Sequence, residues 1–479
     1  MGRLWKSLLV FVSITSLVVA CRSTQADDWR QFRGPNASGV SRDSDKLPVK
    51  FSTKENVRWK KEIGEGIACP IVVNGRVIAT TFVDGEFIVL CFDAKTGEEY
   101  WRHAEDAGKL PALTLPNTQA SSTPASDGDL VFAYFSTVGM IALDLKTGDK
   151  KWKAPIQLPF YLLSWGAAHS PIVFGDTVIF NQDDDLQPFL VALDKYTGDV
   201  RWRTERKEML AGYAVPVLCK ANGRTDIVVA GSGKLKGYDP ESGKELWTCN
   251  TLLRTIMTTP AVQGDKIFVS VQSYGDTDRV LKYALLQWKD TNQDGKLEKS
   301  ELEKAFWKKF DKGDLNKDKF LVDDEIDIAF QAPTNMVGGG NSIQAVRGGG
   351  RGDVTKTHVV WNIDNKAPSN IASPLVFDDK VFVVKKGGIS ASFRAEDGAE
   401  VWTKKRIRNF GNYYASPIAG DGKIYVTGEN GYIVVLDKGD QAKVLAKNDV
   451  GESAIATPAI ADGCIYVRTL NNLYCFSIE

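Results

Sequence analysis

The sequence predicts an all-β fold: an eight-bladed β-propeller of four-stranded antiparallel blades, with a small α-helical insertion in blade 5. Three observations carry this expectation. A Pro-containing apolar run recurs at Pro70, Pro124, Pro171, Pro216, Pro260, Pro374, Pro417 and Pro458, mostly 41 to 54 residues apart, the period of a four-stranded blade. Most runs lead to a Thr-Gly turn, or its variants Ser242-Gly243 and Asp397-Gly398, and a tryptophan. Trp59 precedes the first run, while the last stops at Leu473-Tyr-Cys-Phe-Ser-Ile-Glu479 without an outer strand, so the two chain ends are expected to complete one blade together. Closing the ring in this way removes the unpaired sheet edges that promote aggregation.

The chain starts with Met1-Gly-Arg-Leu-Trp-Lys and an apolar stretch from Ser7 to Ala20, too short to span a bilayer and typical of a secretory signal, here residues 1–20. Cleavage has two candidates. Val18-Val19-Ala20-Cys21 resembles a bacterial lipobox that would place a lipid on Cys21, and Thr24-Gln25-Ala26 suits ordinary signal peptidase before Asp27. Either implies an exported, periplasmic protein, and the lipobox, the preferred of the two, implies an outer-membrane lipoprotein. A leader, 21–54, precedes the propeller, which occupies 55–286 and 358–479. Between these lie an insertion, 287–335, and a glycine-rich loop, 336–357.

Within each unit a short inner strand meets a Gly, Asn or Asp turn, as at Asn74-Gly75, Gly175-Asp176 and Asp421-Gly422, residues that supply left-handed turn geometry. The residues just before each proline are mostly Ala, Ser and Thr, which suits strands crowded around an axis, so they should line a central channel. Trp101, Trp152, Trp202, Trp247, Trp361 and Trp402 follow the turns into the outermost strands and should pack between neighbouring blades.

The 479 residues hold 43% apolar side chains, and 60 basic residues balance 60 acidic ones. Nothing in that balance suggests a nucleic-acid groove. The three histidines, His103, His169 and His358, are too scattered for a histidine metal cluster or a Ser/His/Asp triad. No catalytic residue is assigned. Cys69, Cys91, Cys219, Cys249, Cys464 and Cys475 show no disulfide framework and read as buried strand residues; Cys464 and Cys475, flanking a short hairpin, are the one pair to test.

The sharpest motif lies in the 114-residue interval between Pro260 and Pro374. An EF-hand calcium loop needs oxygen ligands at positions 1, 3, 5, 7, 9 and 12 and a glycine at 6. Asp290, Asn292, Asp294, the Lys296 carbonyl, Glu298 and Glu301 meet these requirements, with Gly295 at the turn. Helices are expected on both sides, in Val280–Lys289 and Glu301–Phe310. A second loop offers Asp314, Asn316, Asp318, the Phe320 carbonyl and Glu325. There Lys319 replaces the glycine, at a cost of about 1 kcal/mol for a left-handed turn, and Val322 cannot hold the bridging water at position 9. Calcium is therefore expected to bind the second loop more weakly, and in an exported protein the pair should act as a structural clip.

Met336–His358 is read as a glycine-rich loop without periodicity, and its Arg351-Gly352-Asp353 triplet is assigned no function. Gly231-Ser232-Gly233-Lys234 lacks the spacing of a phosphate loop and belongs to a propeller turn. Asp183-Asp184-Asp185 is read as a solvent-facing turn. Trp165, His169, Tyr213, Tyr413 and Tyr414 are candidates for lining a funnel at one end of the axis, with core or rim packing as the preferred role.

The Leu-Asp-x-x-Thr-Gly-x-x-x-Trp blades resemble the repeat of the pyrroloquinoline-quinone (PQQ)-like β-propeller family over residues 55 to 286 and 358 to 479. The segment Asp28–Ser41 and the calcium-loop insertion are similar to those of secreted bacterial members. The resemblance implies one of two branches: quinoprotein dehydrogenases, which hold PQQ on the axis, or non-catalytic propellers similar to the outer-membrane assembly lipoprotein. The dehydrogenases stack the quinone against a disulfide of adjacent cysteines, and no two cysteines here are adjacent. The expectation is thus a non-catalytic scaffold that binds a protein or other macromolecule, without PQQ and with calcium in its insertion. The alternatives are a PQQ-dependent alcohol or sugar oxidoreductase and an enzyme acting on polysaccharide or sulfated substrates. The insertion is the expected contact surface.

Overall fold

The computed structural model describes residues 28–478, except 43, 162–163, 185–186, 208, 210–211, 232, 251–256, 273–285, 287–288, 303, 330–340, 365–370 and 408–410. The signal segment, Cys21 and both cleavage candidates lie outside the described residues. Eight antiparallel sheets form the blades. Blades 1 to 7 occupy 71–106, 125–154, 172–205, 217–250, 261–364, 375–406 and 418–449, and blade 8 joins 459–477 to Val57–Glu62.

The turns work as their residues dictate. At Asn74-Gly75 both residues have positive φ, 48° and 71°, and Asp421-Gly422 repeats this at 49° and 68°, the geometry of tight hairpins. In the Leu-Asp-x-x-Thr-Gly turns the aspartate carboxylate collects backbone N–H groups, as Asp93 does from Lys95 (2.9 Å) and Thr96 (2.7 Å).

Blades dock through tryptophan. The indole N–H of Trp101 donates to the Leu145 carbonyl of blade 2 (3.0 Å), and that of Trp152 to the Lys195 carbonyl of blade 3 (2.8 Å). The Thr-Gly glycine of the receiving blade lies under the ring: a Cβ at Gly148 would sit 2.7 Å from Trp101 and one at Gly198 2.7 Å from Trp152. Where the next blade lacks this glycine turn, the indole turns elsewhere. Trp247 donates to Asp226 Oδ2 (2.8 Å) and Trp402 to Ser390 Oγ (3.3 Å), each within its own blade, although both still pack in cores shared with the following blade.

The same device closes the ring. Val57–Glu62 pairs antiparallel with Asn472–Ser477, placing Trp59 opposite Cys475. Its indole donates to the Ala94 carbonyl of blade 1 (3.0 Å) and stacks over Gly97. Arg468 of blade 8 adds donations to the carbonyls of Gly64 (2.8 Å), Gly66 (3.2 Å) and Thr80 (3.0 Å).

The leader crosses one face of the propeller. Trp29 exchanges backbone hydrogen bonds with Val72 of blade 1 (2.8 and 3.0 Å), and the Asn36 side chain brackets Leu218 of blade 4 (2.7 and 2.8 Å). Val40 then bridges Ala419 of blade 7, and the Phe51 N–H donates to Asn448 Oδ1 (2.9 Å).

Three expectations need correction. The glycine-rich loop is interrupted by a strand, Asn341–Arg347, which is the third strand of blade 5 and pairs with both Lys266–Gln272 and Val359–Asp364. Five of its seven residues are buried on both faces, so it lacks the alternation that marks a half-exposed strand, and flanking glycine runs disguise it. Gly352–Asp353, within the Arg-Gly-Asp triplet, adds a parallel fifth strand to blade 4. After the first candidate loop of the insertion, two short 3-10 turns precede a helix that begins only at Trp307 and ends at Gly313. Of Val280–Lys289, only Leu286 and Lys289 are described, both helical.

Candidate functional site

Strand alternation builds an axial cavity of about 410 Å³ from two tiers. The lower tier is the residue before each proline: Cys69, Thr123, Ser170, Val215, Thr259, Ser373, Ser416 and Thr457. The channel expectation therefore holds. The backbone N–H of one member donates to the side chain of the next around most of the ring: Cys69 to Thr123 (3.1 Å), Thr123 to Ser170 (3.0 Å), Val215 to Thr259 (3.0 Å), Thr259 to Ser373 (3.0 Å), Ser373 to Ser416 (3.0 Å) and Ser416 to Thr457 (2.9 Å). Val215, with no hydroxyl, is the gap. The crowding that selects small residues thus also selects hydroxyls.

The upper tier lies two residues earlier in each blade, because side chains alternate with period two: Ile67, Ser121, Ala168, Tyr213, Met257, Ile371, Tyr414 and Ile455. This tier was not anticipated as a set; its signal is the third residue before each proline. Trp165 and the Leu115–Asn117 loop line the same end, and Phe32 of the leader lines the other. Inner strands run from the upper tier towards the Asn74-Gly75 type of turn, where the leader docks. Connections between second and third strands therefore return to the mouth face, and the insertion in blade 5 emerges there.

The funnel candidates divide. Trp165, Tyr213 and Tyr414 line the cavity, whereas Tyr413 is buried between blades 6 and 7. His169 is fully buried, stacked against Tyr161 and Tyr213 and hydrogen-bonded to the Gly212 carbonyl (2.8 Å). Burial lowers its pKa, outweighing the opposing charge of Asp183, so it is a neutral packing residue.

The solvent-facing reading of Asp183-Asp184-Asp185 is overturned for the two described members, both 0% exposed; Asp185 lies outside the described residues. Asp183 takes a bidentate pair of bonds from buried Arg206, Nε to Oδ1 at 2.7 Å and Nη2 to Oδ2 at 2.8 Å, and Arg206 also contacts the Tyr238 hydroxyl. Asp184 accepts the N–H groups of Phe160 (3.1 Å) and Gln187 (2.7 Å). An aspartate is buried when a guanidinium from elsewhere in the fold, here just past the outer strand of the same blade, reaches it, which local sequence does not reveal.

Among the described residues, the lining of the axial cavity contains no Asp, Glu, His, Lys or Arg. Its described lining offers hydroxyl and apolar groups, with none of the charged side chains that a quinone's carboxylates would need.

The two candidate metal loops of the insertion lie side by side, joined by antiparallel pairing of Leu297–Glu298 with Phe320–Leu321. In the first, Glu301 reaches back to the N–H groups of Thr291 (2.8 Å) and Glu298 (2.9 Å), while Asp290 Oδ1 and Asn292 Oδ1 share the Asp294 N–H at 3.1 and 2.9 Å. Asp294 accepts the Lys296 N–H (2.9 Å), and Glu298 takes the Ser300 hydroxyl (3.0 Å). Gly295 has φ 80°. In the second, Asp318 accepts from Phe320 (2.9 Å), Asn316 from Asp318 (2.8 Å), and Glu325 from Leu315 (3.2 Å) and Val322 (3.4 Å). Lys319 adopts the left-handed φ of 72°, and Asp314 Oδ1 is buried without a hydrogen-bond partner. Among the described residues, no three His, Cys, Asp or Glu side chains converge as a ready metal site, because the loop carboxylates turn onto their own backbone amides. The ligand order and the turns nonetheless fit a calcium ion.

Cys464 and Cys475 are free thiols. A hydrogen bond from Cys475 and the charge of Arg58, whose Nη1 lies 3.3 Å from Sγ, lower the Cys464 pKa against the effect of burial.

A family model described as "Outer membrane protein assembly factor BamB" matches residues 41–162, 161–306 and 303–479. BamB of Burkholderia pseudomallei is 37% identical over 103 residues, 21% of this chain and 25% of that protein. Quinoprotein ethanol dehydrogenase of Pseudomonas aeruginosa is 32% identical over 148 residues, 27% of this chain and 22% of that protein. The chain thus spans about a quarter of the length of these curated relatives. The crystal structure of BamB from Moraxella catarrhalis has the same fold, with a TM-score of 0.55 at 12% identity over 88% of this chain and 99% of that one. Because the match extends over nearly the whole propeller, the chain belongs to the PQQ-like β-propeller family described by the name outer membrane protein assembly factor BamB.

Proposed function

We propose that this is an exported, non-catalytic propeller that binds a protein partner through its mouth face, with a calcium-clipped insertion on the same side. The observation that carries the reading is the axial cavity, whose lining, among the described residues, offers no carboxylate, imidazole or amine for acid–base work. Its mouth instead presents apolar side chains: Leu115 is 85% exposed, and Leu158 and Phe160, in the loop after blade 2, are 49% and 43% exposed. Exposed apolar residues grouped on one face mark interaction surfaces. The names of the BamB relatives point to an outer-membrane protein assembly partner. Cys21, lipidated, would hold the propeller at that membrane, and calcium would sit at Asp290, Asn292, Asp294, Lys296, Glu298 and Glu301, more weakly at Asp314, Asn316, Asp318, Phe320 and Glu325.

The test is site-specific photo-crosslinking in cells. A crosslinker at Leu115 should give a discrete adduct, and one at Tyr196, exposed on the opposite, Thr-Gly-turn face, should not. Equal labelling at both would refute a mouth-face interface. The similarity to quinoprotein ethanol dehydrogenase favours a second reading, a PQQ-dependent oxidoreductase. Saturable dye-linked alcohol oxidation after adding PQQ and calcium would establish it in place of the first.

A further inference from the structure

The six cysteines among the described residues are all buried and all free. At Cys69, Cys91, Cys219 and Cys249 burial pushes the thiol pKa up, which keeps those thiols protonated and inert. Cys464 and Cys475 differ because strand register brings them together. Cys464–Arg468 pairs antiparallel with Asn472–Ser477, placing Cys464 opposite Ser477 and Tyr466 opposite Cys475. Side chains alternate with period two along a strand, so Cys464, two residues before Tyr466, shares a face with Cys475 as its diagonal neighbour. The two thiols hydrogen-bond each other there.

The third member of the group comes from the other end of the chain. The pairing of Val57–Glu62 with Asn472–Ser477 shifts register between Val57 and Trp59, and a bulge of this kind re-aims the side chain within it. Arg58 is that residue, and its Nη1 lies 3.3 Å from the Cys464 sulfur. The charge of Asp462 opposes it and Tyr466 adds a further hydrogen bond, and the balance favours the Cys464 thiolate. Cys464 thus has the cationic neighbour that marks a nucleophilic thiol, with a second thiol beside it. It is 1% exposed, but the guanidinium on its sulfur belongs to an exposed residue. Displacing one surface side chain admits a small reagent.

We propose that Cys464 and Cys475 form a redox-active dithiol at the seam of the ring, which exchanges with small disulfides. The Cys464 thiolate attacks a disulfide RS–SR, forms a mixed disulfide and releases RS⁻. Cys475 is held protonated chiefly by its hydrogen bond to Cys464, a constraint that ends once Cys464 is bonded. It then gives its proton to the released RS⁻ and attacks the Cys464 sulfur, expelling the second RS⁻. The two protein thiols are oxidised to a disulfide, and RS–SR is reduced to RSH and RS⁻. The site stands apart from partner binding at the mouth, and either can fail without the other.

Native protein would be incubated with oxidised glutathione at neutral pH, alkylated, and mapped by peptide mass spectrometry. A Cys464–Cys475 disulfide that dithiothreitol reverses should appear, with Cys69, Cys91, Cys219 and Cys249 still reduced. Cys475→Ser should stop at the glutathione adduct of Cys464, and Cys464→Ser should leave Cys475 unmodified. Arg58→Gln should raise the pH midpoint of Cys464 alkylation and slow the reaction at neutral pH by about tenfold for each unit of that rise. If a cysteine variant does not fold, the wild-type map and the Arg58→Gln rate decide. A pair that stays reduced in the native protein, a bridge to any other cysteine, or wild-type reactivity in Arg58→Gln would each overturn the proposal.

Discussion

Gly97→Ala and Gly75→Ala form a matched pair that measures how tightly the chain ends close the ring. The two glycines share their backbone conformation, φ 70° and 71°. In both, a Cβ brings the left-handed strain of an L-residue, about 1–2 kcal/mol. At Gly75 the added methyl meets nothing within 4 Å, whereas at Gly97 it would lie 2.8 Å from Cδ2 and 2.9 Å from Cγ of Trp59. Trp59 has little room to retreat, since its indole is hydrogen-bonded to Ala94 and its backbone is paired in blade 8. Overpacking of this kind adds about 1–3 kcal/mol, so Gly97→Ala should cost about 2–5 kcal/mol against about 1–2 for Gly75→Ala. Equilibrium urea unfolding followed by fluorescence gives both values. In a Trp59→Leu background the excess should vanish, appearing as coupling of about 1–3 kcal/mol in a double-mutant cycle. Equal costs for the two alanines, or no coupling to Trp59, would show that this stack does not close the ring.

Three further outcomes are expected. Asp183→Ala strands the Arg206 charge and should cost about 3–5 kcal/mol in the same unfolding assay, while Asp183→Leu combined with Arg206→Met should recover most of the loss. In calcium titration calorimetry Asp290→Ala should remove the stronger binding event and Asp314→Ala only a weaker one; equal losses would contradict the ranking set by Gly295 and Lys319. Burial pushes the Glu105 carboxyl up, but hydrogen bonds from Lys150 (2.6 Å) and His103 (2.8 Å) and the Lys153 charge outweigh it and hold the pKa at about 2. Because the folded pKa lies below the unfolded value of about 4.3, this stabilisation is full above the unfolded value and is lost as pH falls towards the folded one. The stability advantage of wild type over Glu105→Gln should shrink over that acid window, and an advantage unchanged by acid would refute the assignment.

Much of the ring was legible because its signals are local and repeated. The proline period yields eight blades, the pre-proline residues mark the channel, and the unpaired Trp59 anticipates the closing strand. Legibility failed where a residue's role depends on a distant partner. Asp183 looks like part of a solvated acidic turn until Arg206, 23 residues further on, is brought against it. Asn341–Arg347 looks like loop because glycine runs flank it, and it becomes a strand because two blade-5 neighbours supply its hydrogen bonds.

By itself the sequence determined the repeat, the turn chemistry and the pairing of first and last strands, since each follows from residue types at fixed short spacing. Only the tertiary structure decided what meets on the axis. Eight inner strands spread over more than 380 residues of chain converge there to make one cavity, and the leader brings Phe32 to its wall. No local pattern encodes that encounter, because what a side chain faces is set by whatever the rest of the chain places around it.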